Sequence, residues 1–200
     1  MKIFLSISIL LGLLASCNTG SDPNETCDFP PGNREFTWQV DTVAIFPSTV
    51  GGVWAFGDDD AYLMGNIRFI DDPDPQFLAL HWNGQEWTDE VNAENQADIA
   101  HYSNDVTGDD HFMVSVGSWS IGDEKPGLSE FDNHTKQWKG FQFQRQGALR
   151  GVWTDGKGFF MAVGDNGMVY TKDGYQADWL YSKAPTEFNF YRIEGVSKSE

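Results

Sequence analysis

The chain has 200 residues, with 13 Lys and Arg against 30 Asp and Glu, so its formal net charge is −17. So acidic a balance repels nucleic-acid phosphates and anionic lipid head groups, which excludes nucleic acid as a partner. The acids are scattered among aromatics, 14% of the chain, and 21 glycines, a composition of many short strands and tight turns and not of a disordered acidic tail.

Met1-Lys2 gives a short positive start, and Ile3 to Leu14 is almost wholly apolar. A bilayer-spanning helix needs roughly twenty apolar residues, so a run of about a dozen reads as a secretory signal and not as an anchor. The small residues that follow, Leu14-Ala15-Ser16-Cys17, resemble the lipobox of bacterial lipoproteins. That resemblance implies cleavage before Cys17, acylation of its thiol and acylation of its new amino group. Several acyl chains anchor a protein stably where one does so only marginally. The expected organisation is a signal over 1–16, a flexible Gly/Pro/Asn/Asp-rich tether over 17–34, and a folded region over 35–200. By the same resemblance, Asn18 after the cysteine favours the outer membrane. The expected location is therefore the cell envelope, lipid-anchored and facing periplasm or cell surface. An ordinary secretion signal with an incidental cysteine is the alternative. With lipid on Cys17, Cys27 has no intrachain partner; it is a free thiol or one half of an intermolecular disulfide, and stability must come from packing.

Beyond the tether the sequence repeats itself. Gly51-Gly52-Val53-Trp54, Asn104-Asp105-Val106-Thr107, Arg150-Gly151-Val152-Trp153 and Glu194-Gly195-Val196-Ser197 each open a unit, with valines 53, 46 and 44 residues apart. An Asp/Gly turn follows in the first three, then an apolar strand closed by glycine: Ala61 to Gly65, Phe112 to Gly117, Phe159 to Gly164. A third strand comes next: Phe77 to Trp82, Leu128 to Phe131, Met168 to Thr171. A polar turn then leads to a fourth strand marked by Trp87, Trp138 or Trp179. Asn83-Gly84 and Asp173-Gly174 are hairpin signals, because a two-residue turn demands positive φ. Four strands in about 45 residues is the period of a β-propeller blade. The recurring tryptophans are expected as wedges between blades, with ligand stacking as the alternative.

Trp38, in Glu35 to Val40, precedes the first unit as the other three tryptophans precede theirs, and Gly195-Val196 opens a further first strand. The expected fold is all-β: about three four-stranded blades with a loose strand at each end, part of a longer propeller. Known rings typically have four to eight blades. Oligomeric ring closure and a β-sandwich are the alternatives.

Gly158 to Gly174 is similar to the repeats of photosystem-II assembly-factor-like propellers and, more loosely, to the Asp-box of sialidase-type propellers. The Asp-box runs Ser/Thr-x-Asp-x-Gly-x-Thr-Trp. Thr171-Lys172-Asp173-Gly174-Tyr175-Gln176-Ala177-Asp178-Trp179 keeps its Thr, Asp and Trp, is one residue longer, and displaces the glycine. A sialidase would also need an arginine cluster, and only five arginines are present. Tyr191-Arg192-Ile193-Glu194 resembles that family's Phe/Tyr-Arg-Ile-Pro motif but lacks the proline and follows the repeats. No carboxylate pair can be assigned to glycoside hydrolysis.

Metal and cofactor signals are absent from the sequence. His81, His101, His111 and His134 show no zinc spacing, and Asp71-Asp72-Pro73-Asp74 lacks the glycine and glutamate of an EF-hand loop. What remains is a binding surface on the loops between second and third strands, Asn66 to Gln76 and Ser118 to Gly127, since loops on a rigid scaffold carry recognition. Ligand contacts are expected from Phe69 and Trp119 as exposed anchors, Arg68 and Arg150 as grips for carboxylates, and Asp71, Asp72, Asp123 and Glu124 as acids beside them. The expected function is a membrane-anchored, non-catalytic scaffold for protein or glycan. A carbohydrate-active hydrolase and a structural cell-surface protein are the alternatives.

Overall fold

A computed structural model of the chain describes residues 42–68, 77–89, 102–119 and 124–198. Cys17, Cys27, the Trp38 strand, Phe69, Asp71, Asp72 and Asp123 lie outside the described residues.

The described residues are all-β, in three four-stranded antiparallel sheets with no α-helix. The first sheet holds β1 (Thr49–Gly57), β2 (Asp60–Ile67), β3 (Phe77–Trp82) and β4 (Trp87–Asp89). The second holds β5 (Tyr102–Gly108), β6 (Phe112–Ser118), β7 (Pro126–Asp132) and β8 (Gln137–Gln142). The third holds β9 (Leu149–Thr154), β10 (Phe159–Gly164), β11 (Met168–Asp173) and β12 (Leu180–Lys183). Neighbours in sequence are neighbours in every sheet, the arrangement the four-part repeat leads one to expect.

Short polar side chains build the hairpin turns. Asn83 Oδ1 accepts the N–H groups of Gln85 and Glu86, and Asp109 Oδ1 those of His111 and Phe112. Asp155 Oδ1 does the same for Lys157 and Phe159, and Asp132 Oδ1 for His134 and Thr135. Each carboxylate or amide replaces a backbone acceptor that the reversal removes.

The sheets stack through their first strands, β1 against β5 and β5 against β9. The Gly-Val openings explain how. A Cβ on Gly51 would overlap the Ser103 carbonyl of β5, so only glycine admits that approach. Between β5 and β9, Asn104 Nδ2 donates to the Leu149 carbonyl at 2.7 Å, and the Val152 N–H donates to Asp105 Oδ2 at 3.0 Å.

Both faces of the inner strands are apolar, so their side chains fall into separate cores. Tyr62, Met64 and Ala79 pack with Met113, Phe131 and Trp138 between the first and second sheets. Phe112, Val114, Val116 and Leu128 pack with Leu149, Val152, Phe160, Ala162, Met168 and Tyr170 between the second and third. Leu63, Ile67 and Leu80, on the remaining face of the first sheet, meet Val43 and Ala44. Trp138 packs between the first and second sheets and Trp179 between the second and third, while Trp87 packs on the remaining face of the first sheet with Val43 and Ala44. Burying a large apolar side chain contributes about 1.5–3 kcal/mol, so these interfaces hold the stack together. Glu194 to Ser197, expected as a strand, is not one. It lies against β9 instead, where Trp153 Nε1 donates to the Gly195 carbonyl at 2.9 Å.

Candidate functional site

Arg150 lies on β9, two residues before the core residue Val152. The chain reverses after Gly164 through a 3-10 turn at Asp165–Gly167, which sets the Asp165 carboxylate over β9. Asp165 Oδ1 accepts Arg150 Nε at 3.0 Å; Oδ2 accepts Arg150 Nη2 and the Ala148 N–H, each at 2.9 Å. Glu124, from the loop before β7, brings Oε2 to 3.4 Å from the same Nη2. This is the two-pronged match of a planar guanidinium to a carboxylate. Burial disfavours charge on Asp165, but the bonds from Arg150 and Ala148 outweigh it and hold the carboxyl below its ordinary range. The Asp165 bond in turn raises Arg150 above its usual value, against the cost of burial.

The structure thus joins two of the residues singled out in the sequence, Glu124 and Arg150, and adds Asp165. It also changes Arg150's role, because its fork is filled by the protein's own carboxylates. Trp119 is half-buried and not an exposed anchor: its backbone N–H donates to the Lys125 carbonyl at 2.9 Å, and its Nε1 donates to the Phe141 carbonyl at 3.3 Å. It fastens the loop base to β8. Arg68 directly follows β2 of the first sheet, apart from this group. Its carbonyl accepts the Ile45 N–H at 2.9 Å and its N–H donates to Ser48 Oγ at 2.9 Å.

Beside Arg150 a cleft of about 430 Å³ runs between β5, β9 and the chain at 191–194. Asn104, Asp105, Arg150, Tyr191, Arg192 and Glu194 supply its polar lining. The last segment reaches β9 because Gly151 faces it; a Cβ there would come within 3.0 Å of Arg192 Cα. Tyr191, Arg192 and Glu194 are exposed, and Arg192 Nη2 lies 2.5 Å from Glu194 Oε1. With Arg150 engaged by Asp165 and Glu124, the cleft offers the Arg192 guanidinium, carboxylate acceptors and a phenol, a set suited to polar recognition. Thr107 adds a hydroxyl to that lining. Among the described residues no three His, Cys, Asp or Glu side chains are grouped to hold a metal ion, and no helix is long and apolar enough to cross a membrane.

Sequence reasoning missed Asn104, Asp105 and Asp165 as members of this region. A signal existed for the first two, since Asn104-Asp105-Val106 puts polar side chains where the first unit has Gly51-Gly52-Val53. No protein-family model matches the chain, and no curated protein is significantly similar to it.

Proposed function

We propose that the chain is an exported lipoprotein, anchored through Cys17, whose β-propeller acts as a non-catalytic binding or assembly scaffold for a protein or glycan. Three sheets of identical strand order, stacked first strand against first strand, support the propeller reading. The Leu14-Ala15-Ser16-Cys17 sequence supports the anchor. The observation that carries the binding role is the β5–β9 cleft, where exposed Tyr191, Arg192 and Glu194 stand over buttressed inner strands. Rigid walls with exposed polar and aromatic groups favour recognition, because little ordering entropy remains to be lost on contact.

The test has two readouts. Cys17→Ser is expected to move the protein from the membrane to the soluble fraction and abolish incorporation of labelled palmitate. Arg192→Ala is expected to weaken capture of envelope glycans or proteins at least about fivefold while leaving the thermal midpoint unchanged. Turnover of a fluorogenic glycoside that disappears in Arg192→Ala would replace the scaffold with a hydrolase.

A further inference from the structure

The interface between the second and third sheets breaks the apolar pattern at one place. Four residues before the glycine that closes each second strand stand Ala61, Met113 and Phe160. In register they face Trp82, Phe131 and Lys172. Two units place an aromatic ring at this position; the third places a lysine. Lys172 Nζ donates to Glu130 Oε1 of the neighbouring sheet at 2.6 Å, with the side chains only 3% and 4% exposed. Trp179 Nε1 donates to the same oxygen at 2.7 Å. Burying an ion pair gains little over an apolar pair, because desolvation consumes most of the attraction. Departures of this sort from the rules of packing gather at functional sites.

The pair is not sealed in. Both residues line a cleft of about 350 Å³, walled by Phe112, Trp138 and Tyr175 and rimmed by exposed Gln137 and Gln176. Among the described residues, Lys172 forms one hydrogen bond for three N–H groups, and Glu130 Oε2 accepts none. We propose that this cleft binds a neutral saccharide unit. A ligand carboxylate would compete with Glu130 for Lys172, and a ligand ammonium would compete with Lys172 for Glu130. A hydroxyl both donates and accepts, so neighbouring ring hydroxyls bridge the lysine and the free carboxylate oxygen without parting them. The remaining charges in the lining, Lys139 and Asp132, also cancel. The rings of Phe112 and Tyr175 stack on each other, 5.2 Å apart and 10° from parallel, so their edges border the cleft and give the C–H groups of a sugar an apolar margin. The volume lies at the small end of ligand sites, room for one or two rings.

This site is separate from the β5–β9 cleft, so it stands or falls independently of the scaffold reading. The test is saturation-transfer NMR on the full chain with glucose, galactose, mannose, N-acetylglucosamine and cellobiose; glucuronate and glucosamine serve as charged probes. At least one neutral sugar is expected to saturate with Kd between about 0.1 and 10 mM. Glu130→Gln should weaken it at least about tenfold and Gln176→Ala about threefold, while Arg192→Ala leaves it unchanged. Should Glu130→Gln fail to fold, Gln176→Ala and Gln137→Ala on the exposed rim decide. The proposal is overturned by the absence of saturation with all five neutral sugars, by tighter binding of a charged probe, by binding indifferent to the rim variants, or by loss in Arg192→Ala.

Discussion

Asp165 accepts three hydrogen bonds on two oxygens, and Arg150 beneath it is only 28% exposed. Asp165→Asn leaves a half-buried guanidinium facing a neutral amide, and a lost hydrogen bond to a charged group costs about 1.5–3 kcal/mol. A fall of that size is expected in urea unfolding at neutral pH. Because the folded carboxyl ionises below its ordinary value of 3.8, its contribution is present above that pH and fades as pH falls through the lower, folded value. The gap between wild type and Asp165→Asn should accordingly be constant near neutrality and close in strong acid. Tyr175 gives the opposite window. Burial, reinforced by donation of its hydroxyl to Asp109 Oδ2 at 3.0 Å, pushes the phenol up to about 12. Its folded form stays protonated while the unfolded phenol ionises near 10, so this contribution is complete below pH 10 and lost between there and about 12. Burial raises Tyr170 as well, so ultraviolet titration should show late tyrosinate formation in wild type that is reduced, and not abolished, in Tyr175→Phe.

Strands are joined here by local chemistry and joined to each other's sheets by steric permission. Gly51 illustrates the second kind. Gly51→Ala forces β1 away from the Ser103 backbone, and overpacking of this sort costs about 1–3 kcal/mol. Gly57, at the far end of the same strand, would meet only Asp59 Oδ1 at 3.6 Å, so Gly57→Ala should change stability by no more than about 0.5 kcal/mol. Thermal unfolding of the two variants separates a steric requirement of the stack from a general dislike of alanine in β1; equal losses would refute the close-approach account. Phe131 tests the interface itself. It is fully buried among Tyr62, Phe56 and Trp138, and Phe131→Ala should cost about 3–5 kcal/mol.

At the scale of the whole chain, the net charge of −17 sets a self-repulsion that specific ion pairs do not cancel. Among the described residues seven acids, Asp60, Glu124, Glu130, Asp165, Asp173, Glu187 and Glu194, pair with a Lys or Arg, which leaves the excess of acid over base in place. Raising salt from about 10 to 200 mM shortens the Debye length from about 30 Å to under 10 Å. The thermal midpoint is expected to rise by a few degrees over that range, since the repulsion is long-ranged and the close pairs are screened less. A falling midpoint would mean that local pairs, and not net charge, govern its electrostatics.

Strand identity was legible in the residues themselves. Asn83, Asp109 and Asp155 act on backbone groups within four positions of themselves, and Gly84 and Gly174 supply positive φ, so these turn signals are local. The short apolar runs between them, bounded by such turns, read as strands. Which side chains meet was a different matter. Arg150 reaches Asp165 and Glu124 across 15 and 26 residues, and Lys172 reaches Glu130 across 42. Nothing at either end of such a pair encodes its partner; it is created when one sheet settles on the next. The sequence by itself determined the twelve described strands and their hairpins, because turn chemistry is local. Only the tertiary structure decided that Arg150 is already engaged and that a charged pair opens into a cleft, because those facts depend on how separate sheets pack.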